Sequence, residues 1–244
     1  MSKLDASTDL VPAIALGLTI RESVYMLHRP MAWLYEAWQD EGGIDAMTWG
    51  TAVAGGGVVA RDTLEAPYLK AIISGAAPLS TARLYGLQRW YCAPEPVAVN
   101  FLQTYPVQKT NLEFVAHFIF PANFDNTLFF MGFGFAQNVD ETSPNIIGFT
   151  MDGANNLQAT TVDLVGATVQ PFMPIADIVN WTKYRIEVEM GGVNFYANDV
   201  VIAASDNFMP NYSMYPVFFV PQANVPGAAM LEVAMVRIWN EQLD

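Results

Sequence analysis

Cysteine, histidine and charged residues are all scarce in this chain of 244 residues, and each scarcity excludes a class of protein. The single cysteine, Cys92, allows neither an internal disulfide framework nor a cysteine-based zinc site. Two histidines leave no histidine-based zinc site either. Charged residues make up only 14% of the chain, whereas ordinary globular domains carry about 25%. We therefore expect a buried thiol at Cys92 and a surface with few charged groups.

The chain also contains few basic residues and no long hydrophobic run. Eleven Lys and Arg stand against 24 Asp and Glu, which gives a formal net charge of −13 without any basic cluster. Proteins that bind nucleic acid or anionic lipid usually present a basic patch on their surface. The apolar run at residues 10–18 is shorter than the ~20 residues of a membrane helix, and Asp5 and Asp9 offset Lys3 where a signal peptide would be basic. We expect no nucleic-acid or membrane partner, and folding in the cytoplasm without a secretion signal.

Apolar residues, by contrast, make up 52% of the chain. A large core under a surface of uncharged polar residues would explain this composition. Burial of part of the surface against other subunits would explain it too. We favour the second interpretation because large exposed apolar patches usually mark interfaces, and it predicts that the isolated protein self-associates.

The clearest local pattern lies between Trp181 and Ala204. Charged and apolar residues alternate strictly over 183–190, which is typical of a β-strand with one face in water. A second strand is predicted at 193–197. The pair Asn198-Asp199 tolerates positive φ and predicts a tight turn into a third antiparallel strand at 200–204. Three such strands indicate an all-β protein.

Turn signals continue from Gly42 onward at about the 8–12-residue spacing of sandwiches and barrels. Between them the pattern predicts strands at 112–120, 146–151, 157–164 and 230–239. The first of these is largely apolar on both sides, so we expect it to be central and buried.

The order of these segments resembles that of the concanavalin A-like lectin and glucanase jelly rolls, which include laminin-G-like domains. The resembling segments are 111–120, 129–135, 147–153 with 156–159, 181–204 and 233–239. The resemblance implies a two-sheet antiparallel jelly-roll sandwich with one concave sheet, the sheets about 10 Å apart. We accordingly divide the chain into an N-terminal arm or extension at 1–40 and one jelly-roll domain at 41–244.

Catalysis by this family's glycoside hydrolases requires two neighbouring carboxylates, and retaining enzymes hold them about 5–5.5 Å apart. Glu187 and Glu189 share one face of a predicted strand, but Lys183 and Arg185 share it with them. We interpret this face as solvated and self-neutralising. No catalytic residue is predicted, and replacing either glutamate by glutamine is expected to change stability by less than about 1 kcal/mol. His117 lies among apolar neighbours and is interpreted as a core or interface histidine.

The sequence is compatible with two kinds of ligand site, a calcium site and a sugar-binding platform. Lectins of this family often hold Ca²⁺ with oxygen atoms from loops, and ordinary turn chemistry competes as the explanation for such residues. The matching loop residues here are Asp140, Asp152 and Asn155, with Glu141 and Asn156 nearby. A sugar platform needs exposed aromatic side chains, and core packing is the competing role for each candidate. The candidates are Trp90, Tyr91, Tyr105, Tyr212 and Tyr215.

The N-terminal arm is predicted to serve assembly. Burial of each large apolar side chain stabilises a protein by about 1.5–3 kcal/mol, so the arm is expected to dock on a neighbouring subunit rather than lie in water. Its apolar residues are Leu10, Val11, Ile14, Leu16 and Leu18.

These observations favour a non-enzymatic structural protein of a tailed-phage virion, such as a capsid decoration or a minor head or tail component. Its expected partners are copies of itself and other virion proteins. The alternative is a lectin or adhesin module that recognises host-surface glycans, and a divergent glycoside hydrolase or polysaccharide lyase ranks third. No cofactor is predicted apart from Ca²⁺ in the lectin alternative.

Overall fold

The computed structural model describes residues 33–38, 43–62, 70–75, 80–92, 107–119, 129–140, 142–151, 156–174, 179–189, 192–207, 210, 213–221 and 229–242. These residues contain no helix long and apolar enough to span a membrane. They form strands β1 (Trp33–Glu36), β2 (Trp49–Ala54), β3 (Val58–Asp62), β4 (Lys70–Gly75), β5 (Thr81–Gly86), β6 (Trp90–Tyr91), β7 (Val107–Ile119), β8 (Phe130–Gly134), β9 (Ile146–Met151), β10 (Asn156–Val162), β11 (Ala167–Pro174), β12 (Thr182–Glu189), β13 (Gly192–Ala197), β14 (Val200–Ser205), β15 (Ser213–Pro221) and β16 (Ala229–Gln242).

The strands build two antiparallel sheets that pack face to face. Sheet A has the order β14-β13-β12-β7-β16-β4-β3, with β1 also paired to β16. Sheet B has the order β11-β10-β9-β8-β15-β5-β2, with β6 also paired to β15. The predicted all-β, two-sheet antiparallel jelly roll is thereby confirmed. Residues 33–36, which the sequence-based division assigned to the extension, pair with β16 as part of sheet A.

The three strands predicted between residues 181 and 204 are present as β12, β13 and β14. Ile186 of β12 pairs with Phe195 of β13, and β13 pairs in turn with β14. Asn198 and Asp199 connect the last two strands with φ angles of 49° and 66°. Since asparagine and aspartate tolerate the left-handed region better than most residues, this dipeptide sets the turn as its sequence predicts.

The core lies between the sheets and is rich in aromatic rings. Phe114 of β7, fully buried, stacks on Tyr184 of the neighbouring β12 with ring centroids 5.4 Å apart. It meets Phe149 of sheet B at 6.0 Å and Phe218 of sheet B at 5.2 Å, both edge to face. The predicted central position of this strand is confirmed, because β7 lies between β12 and β16. Cys92 is a free, buried thiol, as predicted.

Gly132 of β8 and Gly148 of β9 pair with each other in sheet B, where neither position has room for a side chain. A Cβ on Gly132 would lie 2.2 Å from the carbonyl oxygen of Ile147 and 2.5 Å from the Cα of Gly148. The ring of Phe130 lies against Gly148, and the side chain of Val139 lies against Gly134. Phe130 and Val139 belong to a second, smaller apolar cluster, which lies on the outer face of sheet B.

Candidate functional site

The outer face of sheet A gathers charged side chains from three adjacent strands. The β12–β7 register sets Glu189 beside Lys109, and the β12–β13 register sets Glu187 beside Asn194. Arg185 and Tyr196 are paired in the next row. We call this group the glutamate cluster, and its members are Lys109, Arg185, Glu187, Glu189, Asn194 and Tyr196.

Glu187 is the centre of the cluster. The Tyr196 hydroxyl donates a hydrogen bond of 2.8 Å to Glu187 Oε1, and Arg185 Nη1 lies 3.3 Å from Glu187 Oε2. The Arg185 guanidinium also lies 3.8 Å from the centre of the Tyr196 ring. Lys109 Nζ bridges both acids, at 2.8 Å from Glu189 Oε1 and 3.7 Å from Glu187 Oε1.

This burial corrects the expectation of a solvated acid at position 187. Glu187 is only 7% exposed, whereas the Glu189 side chain is 36% exposed. The alternating pattern correctly placed both acids on the outer face of β12. It could not show that Lys109, Arg185 and Tyr196 cover one of them, because two of these three side chains come from other strands.

Hydrogen bonds and charge decide the protonation states in the cluster. Burial raises the pKa of Glu187, but the hydrogen bonds with Tyr196 and Glu189 and the positive charges of Lys109 and Arg185 together outweigh it, so that its pKa lies below the ordinary value. The bond to Glu189 raises the pKa of Lys109 against the effect of burial. Burial, followed by the bond to Glu187, raises the pKa of Tyr196. At neutral pH the cluster therefore holds an anionic Glu187, a cationic Lys109 and a neutral Tyr196.

An open cleft of about 470 Å³ adjoins the cluster. Gly192 lies opposite Glu189 in the register and packs so near β14 that an added Cβ would lie 3.1 Å from the Ser205 carbonyl oxygen. Glu189 and Asn194 belong to both the cluster and the cleft. We call it the acidic cleft, and it is lined by Glu189, Gly192, Val193, Asn194, Ala204, Ser205 and Asp206. Its lining offers carboxylate, amide and hydroxyl groups for hydrogen bonding.

Comparison with known proteins found no family model and no curated sequence that matches the chain. It did find solved structures with a similar fold. A protein of unknown function from Shewanella oneidensis MR-1 is similar with a TM-score of 0.59, at 8% identity over 93% of this chain and 95% of that one. Peanut lectin gives 0.58 at 7% identity, over 88% of this chain and 100% of the lectin. A glycoside hydrolase family 16 endo-glucanase from Bacteroides ovatus gives 0.54 at 9% identity, over 84% of this chain and 99% of the enzyme.

The chain has the concanavalin A-like fold. The two-sheet strand order and the match along nearly the whole of peanut lectin establish it. At such low identities the likeness shows the fold alone. Solved concanavalin A-like structures include both a lectin and a glycoside hydrolase, so the fold by itself decides neither binding nor cleavage.

Three of the predicted sugar-platform residues lie close together in the concanavalin A-like domain. Trp90 and Tyr91 form β6, which pairs with β15 immediately before Tyr215. Trp90 is 1% exposed and packs in the core, so it offers no ring face to a ligand. Tyr215 is half-buried, with the guanidinium of Arg89 4.8 Å from its ring centre. Tyr105 and Tyr212 lie outside the described residues.

The Asp140 carboxylate is engaged within its own turn. Its Oδ1 accepts hydrogen bonds from the Thr142 backbone N–H at 3.0 Å, the Thr142 hydroxyl at 2.8 Å and the Ser143 hydroxyl at 2.8 Å. These bonds outweigh burial and lower the pKa of Asp140. Asp152, Asn155 and Glu141 lie outside the described residues, and within the described part no three His, Cys, Asp or Glu residues form a metal-holding group. The residues of the predicted arm lie outside the described part as well.

The sequence-based interpretation missed three residues of the glutamate cluster, namely Lys109, Asn194 and Tyr196. Asn194 and Tyr196 alternate with buried Val193 and Phe195 on β13, and this period of two could have placed them on the charged face. Lys109 could not have been found in this way. It belongs to a strand that is remote in sequence, and only the β12–β7 pairing brings it to Glu189.

Because Glu187 is buried, the sequence-based expectation of a change below about 1 kcal/mol is replaced for this residue. We expect Glu187→Gln to lower the free energy of unfolding at neutral pH by about 1.5–3 kcal/mol, the usual contribution of hydrogen bonds to a charged group. Because the folded pKa of Glu187 is depressed, its stabilisation is present above the unfolded pKa and is lost as pH falls through the folded pKa. Denaturant unfolding from pH 7 down to about pH 3 should therefore show the unfolding free energies of the wild type and Glu187→Gln converging.

Glu189→Gln is the matched control for this prediction. It makes the same change of charge at a more exposed side chain, where an ion pair contributes about 0–1 kcal/mol. Equal losses in the two variants, or a constant difference across the pH range, would contradict the central role of Glu187.

Proposed function

We propose that this concanavalin A-like domain binds carbohydrate, without cleaving it, in the acidic cleft. The observation that carries the proposal is the cleft itself: about 470 Å³ of open, polar-lined space beside a fixed charged network. Its volume falls within the range of about 300–1,000 Å³ that is typical of small-molecule sites. Such sites are usually lined by apolar and aromatic side chains, whereas the polar lining of this cleft suits a ligand rich in hydroxyl groups. The structural virion role favoured from the sequence stays a prediction, and the lectin alternative has the stronger support because peanut lectin shares the fold.

The chemistry of the cleft suits a polyhydroxylated ligand. The carboxylates of Glu189 and Asp206 accept hydrogen bonds from hydroxyl groups, and the Asn194 amide both donates and accepts. The Ser205 hydroxyl, in contrast, is already bonded to the Asn207 backbone and lies 3.3 Å from the Thr161 hydroxyl oxygen of sheet B. Hydrogen bonds to ionised groups are roughly twice as strong as those between neutral groups, so a sugar with neighbouring hydroxyls would gain most from the two acids.

Protonation states in the glutamate cluster support binding over hydrolysis. Glycoside hydrolysis requires one carboxylic acid that keeps its proton, through a raised pKa, until it protonates the leaving group. Glu187 has the opposite shift, since its pKa is lowered. Lys109 lies within ion-pair distance of both acids, and its positive charge is one of the causes that lower the pKa of Glu187.

A glycan array followed by calorimetric titration of the best ligand tests the proposal. We expect the wild type to bind and Asp206→Asn to weaken binding at least about tenfold, since a bond to a charged group is worth about 1.5–3 kcal/mol. Asn194→Ala should weaken binding by a smaller factor, since a bond to a neutral amide is worth about 0.5–1.5 kcal/mol. Asp199→Asn is the matched control. It removes the same charge as Asp206→Asn but lies in the β13–β14 turn, where its partner is Lys183.

The outcomes separate the alternatives. No binding across the array, or full affinity in both cleft variants, would overturn the proposed site. A selective loss in Tyr215→Ala would place the sugar at the Arg89–Tyr215 pair instead. Release of reducing sugar from a bound glycan, abolished by Glu189→Gln, would show that the domain is an enzyme.

A further inference from the structure

The Asn194 amide of the acidic cleft is held in one orientation by the acids beside it. Its Nδ2 lies 3.5 Å from Glu187 Oε1 and 3.5 Å from Glu189 Oε1. An asparagine amide nitrogen carries two N–H donors, so the two acids engage both of them. The part of the Asn194 side chain that is left for a ligand is therefore its carbonyl oxygen, which is an acceptor.

The other polar side chains of the cleft also present acceptors. The Ser205 hydroxyl donates to the Asn207 carbonyl oxygen at 3.2 Å and accepts from the Asn207 backbone N–H at 3.3 Å, so its only donor is engaged. Glu189 and Asp206 complete the polar lining, and ionised carboxylates only accept hydrogen bonds. A ligand that matches these side chains must therefore supply the donors.

Negative charge is compensated at one acid of the cleft and not at the other. Lys109 Nζ lies 2.8 Å from Glu189 Oε1 and balances the charge of that acid. Asp206 accepts a hydrogen bond of 2.9 Å from the neutral Asn207 amide, and no ion pair joins it to a cation among the described residues. The described lining of the cleft also contains no Lys or Arg. One uncompensated negative charge therefore remains, at Asp206.

We infer that the acidic cleft binds a glycan through a free, positively charged amino group, as in an unacetylated hexosamine, with the ammonium at Asp206. The inference rests on the carbohydrate binding proposed above and narrows its ligand class. An ammonium group has three donors and no acceptor, and its bond to a carboxylate is charge-assisted. A neutral hydroxyl would donate to the same oxygen atoms but would leave the charge of Asp206 uncompensated.

The same features disfavour acidic glycans. The carboxylate of a uronic or sialic acid is an anion that only accepts hydrogen bonds, and the side chains of the cleft offer it acceptors and a negative charge. Contacts between like charges exclude such ligands. The cleft is therefore expected to rank glycans in the order amino, neutral, acidic.

Glycans that differ only in the acetylation of one nitrogen test this inference. An array that contains N-acetylated hexosamines is probed with the full chain before and after chemical N-deacetylation. We expect deacetylated glycans to bind about fivefold more tightly than their N-acetylated counterparts, which is the upper end for an exposed ion pair. Glycans with uronic or sialic acid should bind more weakly than neutral glycans of similar size.

Asp206→Asn should abolish this preference. Asp199→Asn is the matched control, because it removes the same charge at the opposite end of β14, where Lys183 lies 2.6 Å away, and it should retain the preference. The control is needed because a protein with a formal charge of −13 attracts any cationic glycan. Equal reductions in the two variants would assign the preference to net charge and overturn the inference.

The remaining outcomes separate this inference from the proposed function. Equal affinities for deacetylated and N-acetylated glycans, or tighter binding of acidic glycans, overturn the inference. If Asp206→Asn then weakens the binding of these glycans, the cleft still binds carbohydrate and the proposed function stands. If no glycan binds before or after deacetylation, both are wrong.

Discussion

Phe114→Ala is expected to lower the free energy of unfolding by about 3–5 kcal/mol, the range for removal of a buried phenylalanine ring. Phe114 is fully buried, and its ring contacts Tyr184 within sheet A and both Phe149 and Phe218 of sheet B. Truncation therefore removes aromatic contacts on both sides of the core at once. The strands on each side are fixed by their own hydrogen bonds, so the space left behind cannot close easily.

Urea unfolding followed by tryptophan fluorescence measures this loss. Val115→Ala, at the next residue of the same strand, is the control because Val115 points to the outer face and is only half-buried. We expect it to cost less than half as much as Phe114→Ala. Similar losses in the two variants would show that the sheets do not depend on this aromatic centre.

Gly132→Ala is expected to cost at least the ~3 kcal/mol found at the upper end for overpacked cores. The added Cβ would lie 2.2 Å from the Ile147 carbonyl oxygen and 2.5 Å from the Gly148 Cα. Both are backbone atoms, so no side-chain rotation can relieve the contact. β8 and β9 would have to separate, and the β8–β9 register around Gly132–Gly148 would be lost.

Circular dichroism and urea unfolding of the purified variant check this expectation. Gly192→Ala is a control in another strand, where the added Cβ would lie 3.1 Å from the Ser205 carbonyl oxygen and a small shift would suffice. A Gly132→Ala protein as stable as Gly192→Ala would show that the strands yield more readily than their backbone contact indicates.

Two parts of sheet A, the β12–β14 segment and β7, show which structural features could be predicted from the sequence. The alternation along β12 and the Asn198-Asp199 pair predicted the β12–β14 meander, and the structure confirms it. The apolar pattern of β7 predicted a central strand, and β7 lies between β12 and β16. Such features are local, since a period of two and a positive-φ dipeptide are properties of a few neighbouring residues.

The glutamate cluster could not be predicted in the same way. Glu187 and Glu189 were recognised as a pair, but the burial of Glu187 depends on Lys109, Arg185 and Tyr196 from three paired strands. Trp90 was considered for a sugar platform because large aromatic residues serve both ligands and cores, and only its 1% exposure assigns it to packing.

The sequence by itself determined the all-β class, the strand order that resembles concanavalin A-like proteins, and the turn between β13 and β14. It determined these because side-chain alternation and turn chemistry act over a few residues. The tertiary structure alone decided which acid is buried and which strands end the sheets. Those properties depend on the pairing of strands remote in sequence: Lys109 meets Glu189 only through the β7–β12 pairing, and β2 is an end strand because β5 is the one described strand that pairs with it.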